Sequence, residues 1–405
     1  MAETSHLLHS EGHPDSARLR RRIAGYSIFF PLATAYAIFV LPASVFAILG
    51  LTDAFPALAS STGHAHEMLF GFALAVVAGN QLGPMAIPRL VLLAGLWVIA
   101  RAAFLCAPQS MTAAAANIAF VALLAMQLVP RLSSAAKKWR NQALPLVLVT
   151  ICISGIAFQL ARHAGFAGTE HAVPIMVVLL LALLMLFMGG RIIAATVAVQ
   201  FYRQGGNLVA RVQPRIEGGL IIAMVVAIVA SLCDNRSPFA LLAAAATIIA
   251  GALAAVRLLR WRLWGLRGRP DLLCLAAGYA WLAIGLMLYG AALAEGRYQL
   301  AALHIITVGA LGTLTLNVMA MTWTLKARQD PSRARVRIGA TILIGTAVLA
   351  RELAALDPQP LLVIASMIWS SAFVLLLIFF VRLHSRAPAA NPEPHCQTSS
   401  KDRSR

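Results

Sequence analysis

Two segments of the chain collect side chains able to ligate a metal or move a proton. The first is Gly63-His64-Ala65-His66-Glu67-Met68-Leu69-Phe70-Gly71, and the second is Leu303-His304-Ile305-Ile306-Thr307-Val308-Gly309. Neutral imidazole is the commonest protein ligand for metals and serves haem iron as well. Two histidines on facing helices are what a non-covalent, six-coordinate b-type haem requires. His304 and Gly309 repeat the spacing of His66 and Gly71, so each helix carries a histidine with a glycine deeper along it. On a regular helix His64 and Glu67 share a face, whereas His64 and His66 point about 200° apart. One ion is therefore not expected to take both imidazoles. The candidate metal ligands are His64, His66, Glu67 and His304, with His66 and His304 as the expected axial pair.

Two arginines extend the candidate set. Arg101 lies at the same depth as the histidines, and its readings are a partner for Glu67 or a haem propionate, or a side chain snorkelling to the headgroups. Arg191 follows Gly189-Gly190 towards the other end of its span, where it is an anchor or a pairing group. Gly71, Ala75 and Gly79 form a small-residue stripe, for which close helix packing is the preferred reading over contact with a flat cofactor. His163 and His171 are expected to be solvated.

Composition limits what can position these groups. Of 405 residues, 60% are hydrophobic and 12% charged, and the mean hydropathy is +0.80, against about 45–50% apolar and about 25% charged in soluble domains. A soluble enzyme is excluded. Apolar stretches of about 20 residues, enough to cross a bilayer, recur throughout the chain. They divide into twelve spans at 25–50, 64–87, 88–107, 110–130, 142–164, 171–198, 216–233, 238–256, 271–294, 300–325, 336–356 and 360–381. The junction at Ile87-Pro88-Arg89 is tight enough to suit a re-entrant pair as well as two crossings. The expected fold is thus an all-α polytopic membrane bundle over residues 25–384, between disordered tails at 1–24 and 385–405.

The net charge of +18 distinguishes a nucleic-acid surface from the basic bias of cytoplasmic loops. With the amino terminus inside, the outer loops hold only Arg162, Arg236, Arg297 and Arg351, and Arg101 and Arg191 lie within spans. Every other Lys and Arg falls on the inner side, as the positive-inside rule requires. Both termini are expected in the cytoplasm, no nucleic-acid partner is needed, and the lipid bilayer is the one partner the composition demands. The charge map also places His64, His66, Glu67, Arg101 and His304 together at the outer end. Five scattered cysteines, without a Cys-x-x-Cys pair, support neither a disulfide framework nor a covalently attached haem. His6, His9 and His13 read as a solvated tail, and no six-plus-six repeat is evident.

At these residues the chain resembles a known family. The blocks GHAHEMLFGFALAVVAG (Gly63 to Gly79), MGGR (Met188 to Arg191) and HIITVGALGTLTLNVM (His304 to Met319) are similar to signature segments of the NnrS family. The resemblance implies a twelve-span bacterial inner-membrane protein containing haem and copper and linked to nitric oxide metabolism and nitrosative-stress resistance. By position it carries over His64, His66, Glu67, Arg191 and His304 as cofactor or structural residues. Three segments depart from the family pattern: Asn80-Gln81-Leu82-Gly83-Pro84, Ile192-Ile193-Ala194-Ala195-Thr196, and Met321-Thr322-Trp323-Thr324-Leu325-Lys326. All lie towards the cytoplasmic side, and the last removes a metal ligand, so haem b is the firmer expectation and copper the weaker. The first functional reading is a haem protein that binds nitric oxide or another diatomic gas. A proton-coupled transporter using Glu67 and His64, and a cofactor-free structural paralogue, are the alternatives; the oligomeric state is left open.

Overall fold

The computed structural model describes residues 22–135, 139–232, 238–266 and 268–385. His6, His9, His13, Lys137, Lys138, Cys233, Arg236, Arg267 and Cys396 lie outside the described residues, as do nearly all of both tails. The last three residues before the first span, Arg22–Ala24, form strand β1. It pairs antiparallel with β2, Pro84–Ala86, in the register Arg22 to Ala86.

Each expected span is occupied by helix. They are α1 (Tyr26–Ile48), a second span divided into α2 (Ser61–His66), a π-helical stretch (Glu67–Ala73) and α3 (Leu74–Gln81), then α4 (Ile87–Cys106), α5 (Met111–Ala135), α6 (Trp139–Ala164) and α7 (Ala167–Arg203). There follow α8 (Pro214–Ser231), α9 (Pro238–Arg260), α10 (Pro270–Glu295) and a tenth span divided into α11 (Gln299–His304), a π-helical stretch (Ile305–Gly312) and α12 (Thr313–Lys326). The bundle closes with α13 (Arg335–Leu353) and α14 (Pro358–Ser385). The tight junction resolves into strand β2 and a separate α4 with Pro88 in its first turn, where a missing N–H costs nothing.

Among the described residues, ten helices are long and apolar enough to cross a membrane. The other two passages are the second span, diluted by His64, His66 and Glu67 at one end and Asn80 and Gln81 at the other, and α13, which carries Arg335, Arg337, Arg351 and Glu352. The second span is mostly buried between other helices, whereas α13 keeps one face exposed, with Ile342 and Leu349 outward. The second span packs on α1, α4 and α7, and the tenth on α7, α10 and α13. The two π stretches begin at corresponding places, directly after His66 and His304. Such stretches loosen the i→i−4 ladder and are frequent at functional sites. Near the ribbon, Trp323 of α12 packs on Tyr26 of α1 and stacks on Phe380 of α14 at 5.0 Å, so the first and last helices meet at the same end of the bundle. This is the end rich in Arg and Lys; the histidines lie at the other.

Candidate functional site

Glu67 is the centre of the histidine end and is fully buried. Its Oε1 accepts from Arg101 Nη1 at 2.7 Å and from His66 Nδ1 at 2.7 Å, while Tyr36 donates its hydroxyl to Oε2. Arg101 in turn donates to Asn117 Oδ1, and Asn117 Nδ2 donates to the Ala113 carbonyl at 2.8 Å. These side chains come from α1, the second span, α4 and α5, so the carboxylate joins four elements. A buried charge needs this company, because an unpaired carboxylate in an apolar interior costs several kcal/mol.

The π stretch starting at Glu67 lets the network close. Trp97 Nε1 donates to the Gly71 carbonyl at 3.1 Å. A Cβ at Gly71 would lie 2.8 Å from Tyr36 Cε1 and 3.2 Å from Arg101 Cδ, so this glycine makes room for the two partners of Glu67. Gly79, two turns further on, faces Phe30 of α1. The small-residue stripe therefore serves helix packing. Although His64 and Glu67 share a face on a regular helix, the Glu67 carboxylate turns to His66, Arg101 and Tyr36 where the helix widens into the π stretch.

Both ring nitrogens of His66 are engaged. Nδ1–H donates to Glu67, and Nε2 accepts from Gln159 Nε2 of α6 at 2.8 Å. The ring is stacked between Phe104 at 4.0 Å and Phe158 at 4.8 Å, and is 1% exposed. His66 is built into the frame, not presented from it. Around the rim, Thr62 Oγ1 and Arg162 Nη1 both donate to Glu170 Oε1, at 3.1 and 2.8 Å. His163 and His171 are exposed.

His64 and His304 have a different environment. Both are half-buried and lie within electrostatic reach of each other and of Arg351 on α13. His304 Nδ1 donates to the Leu300 carbonyl at 2.6 Å, with Arg351 Nη2 at 3.4 Å. That bond fixes the tautomer and leaves the Nε2 lone pair for a ligand, the arrangement typical of metal-binding histidines. His64 Nδ1 is buried with no hydrogen-bond partner. The histidine that the structure brings towards His304 is thus His64, while His66 faces α4 and α6. No group of three or more His, Cys, Asp or Glu side chains suited to a metal ion occurs among the described residues.

Arg191 belongs to the opposite end. It lies 21 residues after Glu170 on α7, about 31 Å along the axis at 1.5 Å per residue. Arg191, Arg211, Glu217 and Arg257 line one cavity there. Arg257 and Arg337, which the charge map assigns to loops, are 4% and 2% exposed. Their helices outrun the apolar stretches, and each guanidinium finds partners inside: Arg257 donates to Glu217 at 2.9 Å and to the Leu186 carbonyl at 3.0 Å, and Arg337 to Asn317 at 3.2 Å and to the Asp271 carbonyl at 3.1 Å. Gly190 has its role here, because a Cβ would overlap the Arg257 guanidinium. Gly190→Ala is expected to cost about 1–3 kcal/mol, as overpacking of a filled site does, measured as a lower unfolding temperature in detergent.

Tyr36, Trp97, Asn117 and Gln159 escape a search confined to histidine and the charged residues. The available signal was an uncharged polar residue inside an apolar span, which Asn117 and Gln159 both are. Among known proteins, a search of curated sequences returned no match to the chain. The family model described as NnrS protein matches residues 22–387, which takes in the histidine end, the Gly189-Gly190-Arg191 turn of α7 and every span. With the whole described bundle inside that match, this multi-pass membrane chain belongs to the NnrS family.

Proposed function

We propose that the protein is a haem-binding inner-membrane protein that metabolises nitric oxide or protects against nitrosative stress, with His64 and His304 as the iron ligands. The donor set carries this reading. Two imidazoles without a third protein ligand leave a lone copper or zinc ion short of its usual coordination, whereas they are sufficient for haem iron, whose other four ligands come from the porphyrin. When bound, the haem would supply an iron able to take up a diatomic gas. The chain's own residues orient and enclose that chemistry. The Leu300 carbonyl holds the His304 ring in one tautomer, and Arg351 sets a positive charge beside it, suited to an anionic propionate. The Glu67 network keeps the second span in register with α1, α4 and α5, and the apolar bundle admits an uncharged gas from the lipid. A transporter working through Glu67 and His64 is not favoured, because Glu67 is closed by Arg101, His66 and Tyr36.

The test is the absorption spectrum of protein purified in detergent, oxidised, reduced and with nitric oxide added. A Soret band that shifts with the gas is expected, and His64→Ala and His304→Ala should each lose it while eluting as folded protein. A spectrum without a Soret band from cells supplied with haem, or haem content unchanged in both variants, overturns the reading.

A further inference from the structure

The cavity at the basic end is independent of the haem reading and has a composition of its own. It holds about 280 Å³ between α7, α8 and the end of α9. One part of its wall is apolar, including Leu183, Phe187, Leu220 and Ile221; the rest carries Arg191, Arg211 and Arg257 against the single carboxylate of Glu217. Three guanidinium groups and one carboxylate leave an excess of two positive charges, whatever the pairing among them. Arg257 is the buried member, tied to Glu217 and the Leu186 carbonyl, with its Nε unpartnered. Arg191 and Arg211 are exposed at the mouth.

The depth of this mouth follows from helix geometry. Arg191 is about 31 Å along α7 from Glu170, close to the hydrocarbon thickness of about 30 Å. Arg191 is therefore near the inner end of its span, from which its long side chain reaches the headgroup level. A positively charged mouth at that level, opening onto an apolar wall, complements a molecule with an anionic head and a hydrocarbon tail.

We propose that this cavity binds an anionic phospholipid, its phosphate held between Arg191 and Arg211 and an acyl chain lying on Phe187, Leu220 and Ile221. The test is native mass spectrometry of the full-length protein titrated with phosphatidylglycerol and phosphatidylcholine of matched chains, followed by inorganic phosphate alone. Wild type is expected to prefer phosphatidylglycerol by about thirtyfold, the scale set by two arginines at about 1 kcal/mol each near an anionic headgroup. Arg191→Gln with Arg211→Gln should bring the ratio close to one. The corresponding double lysine variant should keep most of the preference, and it preserves the charge if the glutamine variant does not fold. Ile221→Trp should weaken lipid binding by filling the apolar part. An undiminished preference in the glutamine variant overturns the proposal. So does a site that takes inorganic phosphate and is indifferent to Ile221→Trp, which would make it a free-anion site.

Discussion

Arg101→Met should destabilise the protein by about 3–5 kcal/mol, the cost of leaving one member of a buried ion pair without the other. Glu67 and Arg101 are 0% and 3% exposed and 2.7 Å apart, so neither can reach water when its partner is gone. The variant also frees the Asn117 amide oxygen that Arg101 occupies. Glu67→Gln should be damaging for the mirror reason, a guanidinium buried without a counter-charge. Combining Glu67→Gln with Arg101→Met removes both charges while the glutamine oxygen still accepts from Tyr36 or His66. The double variant is expected to be more stable than the sum of the single losses implies. A double-mutant cycle by reversible unfolding in detergent reads this coupling directly. Additivity within about 0.5 kcal/mol, as for independent sites, would mean that the pair does not hold the four elements together.

The second large effect is expected at Gly63. It stands in the first turn of α2, where its N–H donates to the Ser60 side chain at 3.1 Å, and a Cβ would overlap the Ala57 carbonyl in the 3-10 turn Pro56–Ala59. A side chain could swing aside, but this obstacle is the backbone of the 3-10 turn. Gly63→Ala should therefore cost about 1–3 kcal/mol or more and displace the neighbouring His64, lowering haem content together with the unfolding temperature. Gly95 on α4 is the control, since a Cβ there meets nothing within 4 Å. Gly95→Ala should be neutral or stabilising by about 0.5–1 kcal/mol, the usual gain in a helix interior. Equal effects at the two glycines would remove close backbone approach as the reason for Gly63.

How much of the site was legible in advance depends on the range of the interaction concerned. The depth of His64, His66, Glu67 and His304 followed from span counting, and the divergence of His64 from His66 followed from helical periodicity. The partners did not. Glu67 meets Tyr36, 31 positions earlier, and His66 meets Gln159, 93 positions later, and no spacing rule within one helix connects such residues. Arg257 and Arg337 show the same limit for charge: loop counting sees a basic residue near a helix end, but not the carboxylate or carbonyl that draws it inward.

Hydropathy and loop charge were sufficient for the helical class, the places of the twelve helices and the segregation of the basic residues, because a bilayer acts on each segment separately through its length and its flanking charges. Packing alone separated the surroundings of the two histidines in the second span. The helix widens into a π stretch at Glu67, and from there the wheel drawn from sequence no longer gives the face. Phe104, Phe158 and Gln159 converge from α4 and α6 to enclose His66, leaving His64 towards the tenth span and Arg351. A local pattern can supply ligands at a given depth. Which of them is consumed by the frame and which is left to bind depends on contacts between helices far apart in the chain.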